Sequence, residues 1–204
     1  MRASSVMIID TGSANLNSVL QAFKRLEVDV KISSEIAVLQ KADHLIFPGV
    51  GAAQDVMDGI YERRLFDFIT ENKKPLLGIC LGMQVLASSS EEVRLGSNQD
   101  LVKTLGILKE RVLKLKAQDL RLPHMGWNTV HHVDHPLFEG IADEAYFYFD
   151  HSYAMECGPY TIGTTVYGEK FASAVCKDNF MGVQFHPEKS GSVGARLLTN
   201  FLNF

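Results

Sequence analysis

The chain has 204 residues, 46% of them hydrophobic, with 20 basic and 24 acidic side chains and a formal net charge of −4. That is enough apolar material for one substantial core and predicts a single domain over residues 1–204. The mild acidic excess, without any basic run, argues against nonspecific nucleic-acid binding and for a small-molecule or protein partner.

The apolar run before Asp10 is too short for a signal sequence or a membrane span, so a cytoplasmic protein is expected. Val6 to Ile9 reads as a strand, Asp10-Thr11-Gly12-Ser13 as a loop, and Leu16, Val19, Leu20, Phe23 and Leu26 recur at helical spacing. Val28 to Ile32 predicts a second strand. His44 to Phe47 predicts a third, closed by Pro48-Gly49-Val50-Gly51, and a helix is expected from about Ala53 to Thr70. Strands alternating with helices predict a parallel sheet covered on both faces, with ligands gathering beyond the carboxyl ends of the strands. Ser88 to Gln99 reads as a flexible surface loop. From about Gly106 the texture becomes mostly β: Ile107–Lys116, Thr129–Val133, Ala145–Phe149, Tyr160–Tyr167, Phe171–Val175 and Met181–Phe185 read as strands, presumed antiparallel, before a closing helix over Gly194–Phe204.

One stretch carries chemistry. Pro75 to Gln84 reads as a strand, a sharp turn at Cys80 and an amphipathic helix, with Gly78 and Gly82 removing the Cβ atoms that would hold strand and helix apart. A cysteine at a helix N-terminus is favoured as thiolate. A free cysteine is more often inert and buried; Cys157 and Cys176 are read as bystanders. With three widely spaced cysteines and no CxxC pair, reduced thiols are expected. A thiol nucleophile needs a base, and the base needs a partner to fix its tautomer. His186-Pro187-Glu188 supplies both: Pro187 keeps His186 extended, and the i, i+2 spacing lets Glu188 reach the imidazole nitrogen facing away from the thiol. An oxyanion needs backbone donors, for which the N–H of Leu81 and the Gly49-Val50 loop are candidates. That loop lacks the third glycine of a dinucleotide fingerprint, no Walker A sequence occurs, and no cofactor is expected. His131, His132 and His135 have no acidic or cysteine partner at ligand spacing beyond Asp134 and read as a solvated strand end, not a metal site. In the aromatic run Tyr146 to Phe149, alternation buries one pair and leaves the other for a partner surface.

GICLGMQ at Cys80, PGVG at Pro48, PHMGWN at Pro123, YFYFDHSYA at Tyr146 and the late HPE together resemble the glutaminase subunits of imidazole glycerol phosphate synthases, which are triad-type (class I) glutamine amidotransferases. The resemblance covers essentially the whole chain. It implies a flavodoxin-like α/β fold, a central mostly parallel sheet flanked by helices with added antiparallel strands in the second half. It implies that Cys80 attacks the glutamine amide, His186 shuttles the proton to departing ammonia and Glu188 orients His186. It further implies that Gly49, Gly51, Gln84, Glu92, His151, Ser152 and Tyr153 contact glutamine, and that Asn15, Trp127 and Lys189 lie near the interface with a (β/α)₈ cyclase subunit that forms a heterodimer and consumes the ammonia. Taken on their own residues, Glu92 reads equally as a solvated loop carboxylate, Trp127 as core packing and Lys189 as a surface lysine. Competing readings are a free-standing cysteine hydrolase or peptidase, a regulatory module with a vestigial triad, and an amidotransferase serving a guanine, anthranilate or pyridoxal partner.

Overall fold

Strands and helices alternate through the first half of the chain, as the apolar periodicity predicts. In the computed structural model, which describes residues 5–12 and 16–204, β1 (Ser5–Ile9), α1 (Leu16–Arg25), β2 (Asp29–Ser33), the short α2 (Ile36–Leu39) and β3 (His44–Gly49) come first. They are followed by α3 (Ala53–Glu62), α4 (Phe66–Thr70), β4 (Leu76–Cys80) and α5 (Leu81–Gln84). The second half adds β5 (Ser89–Ser90), β6 (Val102–Lys103), β7 (Arg111–Lys114), β8 (His124–His132), β9 (Ala145–His151) and β10 (Tyr153–Met155). It closes with β11 (Thr161–Tyr167), β12 (Glu169–Lys177), β13 (Phe180–Val183) and α6 (Gly191–Phe201).

The parallel part of the sheet runs β2-β1-β3-β4-β13, and β12, β10 and β7 continue it antiparallel. The expected antiparallel pairing holds among β7 to β12, whereas β13, expected antiparallel with them, pairs antiparallel with β12 on one side and parallel with β4 on the other; ahead of that half, β5 pairs parallel with β7. Side chains alternate between two apolar layers. Val6 and Ile8 of β1, Ile46 of β3, Leu77 and Ile79 of β4 and Met181 and Val183 of β13 pack with Phe23 of α1 and Leu197 and Phe201 of α6. Met7, Ile9, Leu45, Phe47 and Leu76 point the other way, against Val56, Met57 and Ile60 of α3. This two-sided burial is what a parallel sheet requires, and it explains why its strands read as continuous apolar runs. A ribbon of β8 and β9 stands on this frame, joined to it through β11.

The structure corrects the sequence reading in several places. The helix expected from Ala53 to Thr70 is broken at Arg64, which adopts a left-handed conformation (φ 56°) and lets Leu65 turn inward to full burial. The segment after Cys80 is not amphipathic as expected: α5 is one turn and is buried on every side. Ser88 to Gln99 is only partly a surface loop, because Ser89 and Ser90 are buried and pair with both β6 and β7. The strand expected over Ile107–Lys116 is confined to Arg111–Lys114, whereas β8 starts five residues before the expected Thr129.

The Cys80 corner depends on two glycines. A Cβ on Gly82 would collide with the carbonyl oxygen of Phe47, and one on Gly78 would sit 2.7 Å from the carbonyl oxygen of Gly82. The start of α5 therefore lies directly against β3 and β4, and a methyl group there must push them apart. Gly82→Ala is expected to destabilise the fold by about 1–3 kcal/mol or more, read as a lower urea midpoint; an unchanged midpoint would show that the contact yields freely.

Candidate active site

Three neighbouring strand ends converge. Gly49 pairs with Cys80 across β3 and β4, and Val183 pairs with Ile79 across β4 and β13, so the residues after β13 emerge beside Cys80. Cys80 has φ 54° and ψ −114°, a conformation that costs roughly 1–3 kcal/mol and persists only where the surroundings impose it. Here β4 is buried along its whole length between two parallel neighbours. The same turn that strains Cys80 aims its sulfur into a cavity of about 240 Å³ lined by Val50, Gly51, Leu81, Gln84, Glu92, Asp150, His151, His186 and Lys189 as well as Cys80.

His186 and Glu188 are brought together as expected. Pro187–Lys189 form a 3-10 turn, and His186 Nδ1 donates to Glu188 Oε1 at 2.8 Å with both side chains buried. The remaining ring nitrogen is left for Cys80, which lines the same cavity. Burial disfavours the imidazolium, but the hydrogen bonds and charges of Cys80 and Glu188 outweigh it and raise the His186 pKa to about 10. The turn is tied to β9: His186 N–H donates to the Tyr148 carbonyl at 2.8 Å, and Tyr148 N–H donates to Ser190 Oγ at 3.0 Å.

A second pair of histidines sits in the opposite state. His151 Nδ1 is 2.8 Å from the Tyr153 carbonyl, which can only accept, so Nδ1 carries the proton. Burial lowers the His151 pKa to about 3, leaving Nε2 an acceptor for His124 Nδ1 at 2.9 Å. His124 is likewise lowered by burial to about 4 and accepts at Nε2 from Asn128 Nδ2 at 3.2 Å. Its ring is held between Phe149 and Tyr167. The Tyr153 carbonyl also accepts from Gln84 Nε2 at 2.8 Å, and Gln84 Nε2 donates again to Gln184 Oε1 at 2.9 Å. With both N–H groups of Gln84 engaged, its Oε1 is left buried and without a partner in the cavity wall.

The other expected residues divide. Gly49 lies just outside the main cavity, lining a smaller one of about 30 Å³ that shares Val50, His186 and Lys189. Ser152 and Tyr153 do not line the main cavity: the Ser152 carbonyl accepts from Leu115 N–H, and the Tyr153 carbonyl holds Gln84 and His151. Glu92 is not a solvated loop carboxylate; it lines the cavity, and burial pushes its pKa up to about 7. Trp127 is not a core residue, being 56% exposed with its ring edge-on to Tyr148. Lys189 Nζ stands 5.4 Å over the Tyr148 ring and lines the cavity. Asn15 lies outside the described residues. Of the three clustered histidines, His131 faces Asp143 and Glu144, His132 stacks on Phe138 and His135 accepts from Leu137 N–H. Among the described residues no group of His, Cys, Asp and Glu is arranged to hold a metal ion, and no helix is long and apolar enough to cross a membrane. Asp150 and Gln184 were not anticipated: the Asp150 carbonyl is 3.9 Å from Cys80 Sγ, and Gln184 Nε2 is 3.7 Å from it. The amide of Gln184 in an otherwise apolar strand end was the available signal.

A strained, buried cysteine with a paired histidine and carboxylate matches thiol-dependent acyl transfer, and the family model of class-I glutamine amidotransferases matches residues 7–203. The imidazole glycerol phosphate synthase subunit HisH of Escherichia coli (strain K12) is 54% identical over 199 residues, covering 97% of this chain and 98% of the relative. The chain belongs to the HisH family of class-I glutamine amidotransferases. The HisH of Photorhabdus laumondii is 52% identical over 200 residues, with 97% of this chain and 98% of the relative covered. A crystal structure of a glutamine amidotransferase shares the fold with a TM-score of 0.72, 97% coverage of each chain and 20% identity.

In this HisH-family site the charge on His186 depends on Glu188. Replacing the carboxylate by an amide, Glu188→Gln, is expected to lower the His186 titration midpoint by about one to three on the pH scale, read by NMR of the imidazole nitrogens. A midpoint that stays near 10 would show that Cys80 alone maintains the charge.

Proposed function

We propose that this HisH-family chain is the glutaminase subunit of an imidazole glycerol phosphate synthase, with residues 1–204 as one amidotransferase domain. The observation that carries the reading is that Cys80 and His186, the latter paired with Glu188, line one cavity of about 240 Å³, smaller than the roughly 300–1,000 Å³ of drug-sized sites and suited to one amino acid. Cys80 Sγ attacks the side-chain amide carbon of L-glutamine. The oxyanion accepts from Leu81 N–H and from the Gly49-Val50 segment, and His186 gives its proton to the leaving nitrogen as the C–N bond breaks. Ammonia departs and a γ-glutamyl thioester remains on Cys80. Water then attacks, His186 takes its proton, the C–S bond breaks, and glutamate leaves. Gln84 Oε1, its N–H groups already committed, is the wall's free acceptor for a substrate N–H. Glu92 meets the substrate ammonium, with Gly51 and His151 closing the cavity around it.

Ammonia needs a consumer, and the HisH name borne by the relatives describes one subunit of a synthase. The partner is read as a (β/α)₈ cyclase forming a heterodimer, which uses the ammonia to yield imidazole glycerol phosphate and aminoimidazole carboxamide ribotide. Support comes from one face of the β8–β9 ribbon. Met125, Trp127 and Tyr146 are all more than half exposed on it, and the register puts Trp127 opposite Tyr148 and Met125 opposite Asp150, which lines the cavity. An apolar face of this kind next to the cavity mouth is suited to burial by another protein. Lys189 belongs to the same edge.

The test mixes the protein with glutamine, with and without the cyclase subunit and its substrate, and measures glutamate. Strong stimulation by the complex is expected. Cys80→Ala in the complex should abolish glutamine-dependent synthesis and spare synthesis from ammonium salts; equal loss of both would remove Cys80 from the role of nucleophile.

The Glu92 assignment carries its own pH dependence. With its pKa near 7 in the free protein, Glu92 is protonated in acid and must lose that proton to pair with an ammonium. KM for glutamine should therefore fall as pH rises toward 7 and level off above it, changing by up to about tenfold per pH unit on the acid side. Glu92→Gln should raise KM and flatten the profile. A KM that shows no acid limb in the wild type would remove Glu92 from the ammonium site.

A further inference from the structure

We propose that Gln184 is a further catalytic residue of this site, a neutral donor that holds negative charge on Cys80 Sγ while its carbonyl locks the Gln84 amide in its substrate-facing orientation. The residue is fully buried and follows directly after β13, where its backbone N–H donates to the Ser173 carbonyl at 2.9 Å, so the sheet rather than a loop sets its position. A primary amide in such a place is costly unless its donors and acceptor find partners. It has two: Nε2 lies 3.7 Å from Cys80 Sγ, and Oε1 accepts from Gln84 Nε2 at 2.9 Å.

Amide ends are assigned by their partners, and here the assignment is forced from outside. The Tyr153 carbonyl can only accept, so the end of Gln84 that meets it at 2.8 Å is the NH₂ group. That NH₂ group also meets Gln184, so the facing atom of Gln184 is its oxygen, and the end left for the sulfur is NH₂. A thiol sulfur accepts weakly and a thiolate strongly, so this donor favours the charged form over the thiol and over the neutral thioester. It aids the attacking sulfur and the departure of the same sulfur when water cleaves the thioester. His186 supplies the positive charge, whereas Gln184 supplies a dipole that cannot be lost by titration.

The inference rests on Cys80 being the nucleophile of the proposed reaction, but its test reads the sulfur directly and needs neither glutamine nor a partner. Wild type, Gln184→Met and Gln184→Glu are alkylated with iodoacetamide over the pH range in which each stays folded. Modification of Cys80 is resolved from that of Cys157 and Cys176 by peptide mass spectrometry. In the reaction the Cys80 S–C bond forms and iodide leaves, so the rate follows the thiolate. The other titratable groups around the cavity are His186 with Glu188 behind it, Lys189, Glu92, Asp150 and His151, and all are common to the three proteins.

Loss of the donor in Gln184→Met is expected to move the alkylation midpoint to higher pH and slow the reaction about threefold to tenfold below it, with the plateau rate kept. Gln184→Glu keeps the shape and the acceptor for Gln84 but sets a carboxylate against the sulfur, so its midpoint should move further. Identical midpoints in the three proteins would overturn the proposal. So would a changed plateau with an unmoved midpoint, which marks altered access alone, or a Glu variant that shifts no further than Met. If the Met variant does not fold, the Glu variant decides by the same criterion against wild type. Should Cys80→Ala leave glutamine-dependent synthesis intact, the functional reading fails, while the alkylation profiles still report whether Gln184 holds charge on the sulfur.

Discussion

The contact on which the rest depends is the approach of the α5 backbone at Gly82 to the carbonyl of Phe47 in β3, so close that no side-chain atom fits between them. It forces the chain to leave β4 through a residue with positive φ, and that residue is Cys80. The parallel register then does the rest: Gly49 is carried level with Cys80 on one side, and the continuation of β13 on the other. Strain at a non-glycine residue survives because every residue of β4 is buried and paired. The sheet is thus the device that holds a thiol out of a relaxed conformation and next to its base.

Electrostatics separates the histidines by environment. His186 and His151 are both buried near Cys80, yet His186 is held protonated well above its ordinary range and His151 well below. Burial pushes both down. The difference is the partners: a thiol and a carboxylate for His186, a carbonyl and another neutral imidazole for His151. The nearby cation is one reason His151 stays neutral, since two positive charges in one buried site repel. A single imidazolium therefore faces the sulfur, and the second histidine serves as a fixed hydrogen-bonding strut that ends at the Tyr153 carbonyl and, through it, Gln84.

How much of this could be read from the residues depended on whether local chemistry or distant packing decided the outcome. The β–α alternation, the Cys80 corner and the His186–Glu188 pair were legible because period, glycine spacing and an i, i+2 relation are local. The burial of Phe147 and Phe149 with Tyr146 exposed followed from strand alternation in the same way. Ser89 and Ser90 read as loop because serine has little strand preference; pairing with β6 and β7 overrides it. That pairing carries the following Glu92 into the cavity, and the Ala53 N–H bonded to the Glu92 carbonyl fastens it to the start of α3. The break at Arg64 was hidden because Leu65 and Phe66 continue the apolar pattern across it. Gln184 is legible only in part: an uncharged polar side chain at an inward-facing strand position must have a partner, but that its partners are Cys80 and Gln84 depends on packing across the sheet.

The ribbon of β8 and β9 makes the exposed surface and the chemical site parts of one element. Tyr148 accepts from the His186 N–H, donates to Ser190 Oγ, lies beneath Lys189 and meets Trp127 at its edge. Phe147, its neighbour on the opposite face, stacks on Phe185 immediately before His186. The ring of Tyr148 therefore belongs to the exposed face while its backbone fixes the turn that carries the base. Covering that face with another protein would remove water from the mouth of the cavity, and interactions among Cys80, His186 and Glu188 strengthen as the surrounding dielectric falls. Because the backbone of β9 already clamps the His186 turn, that change reaches the charged groups without requiring the strand to move.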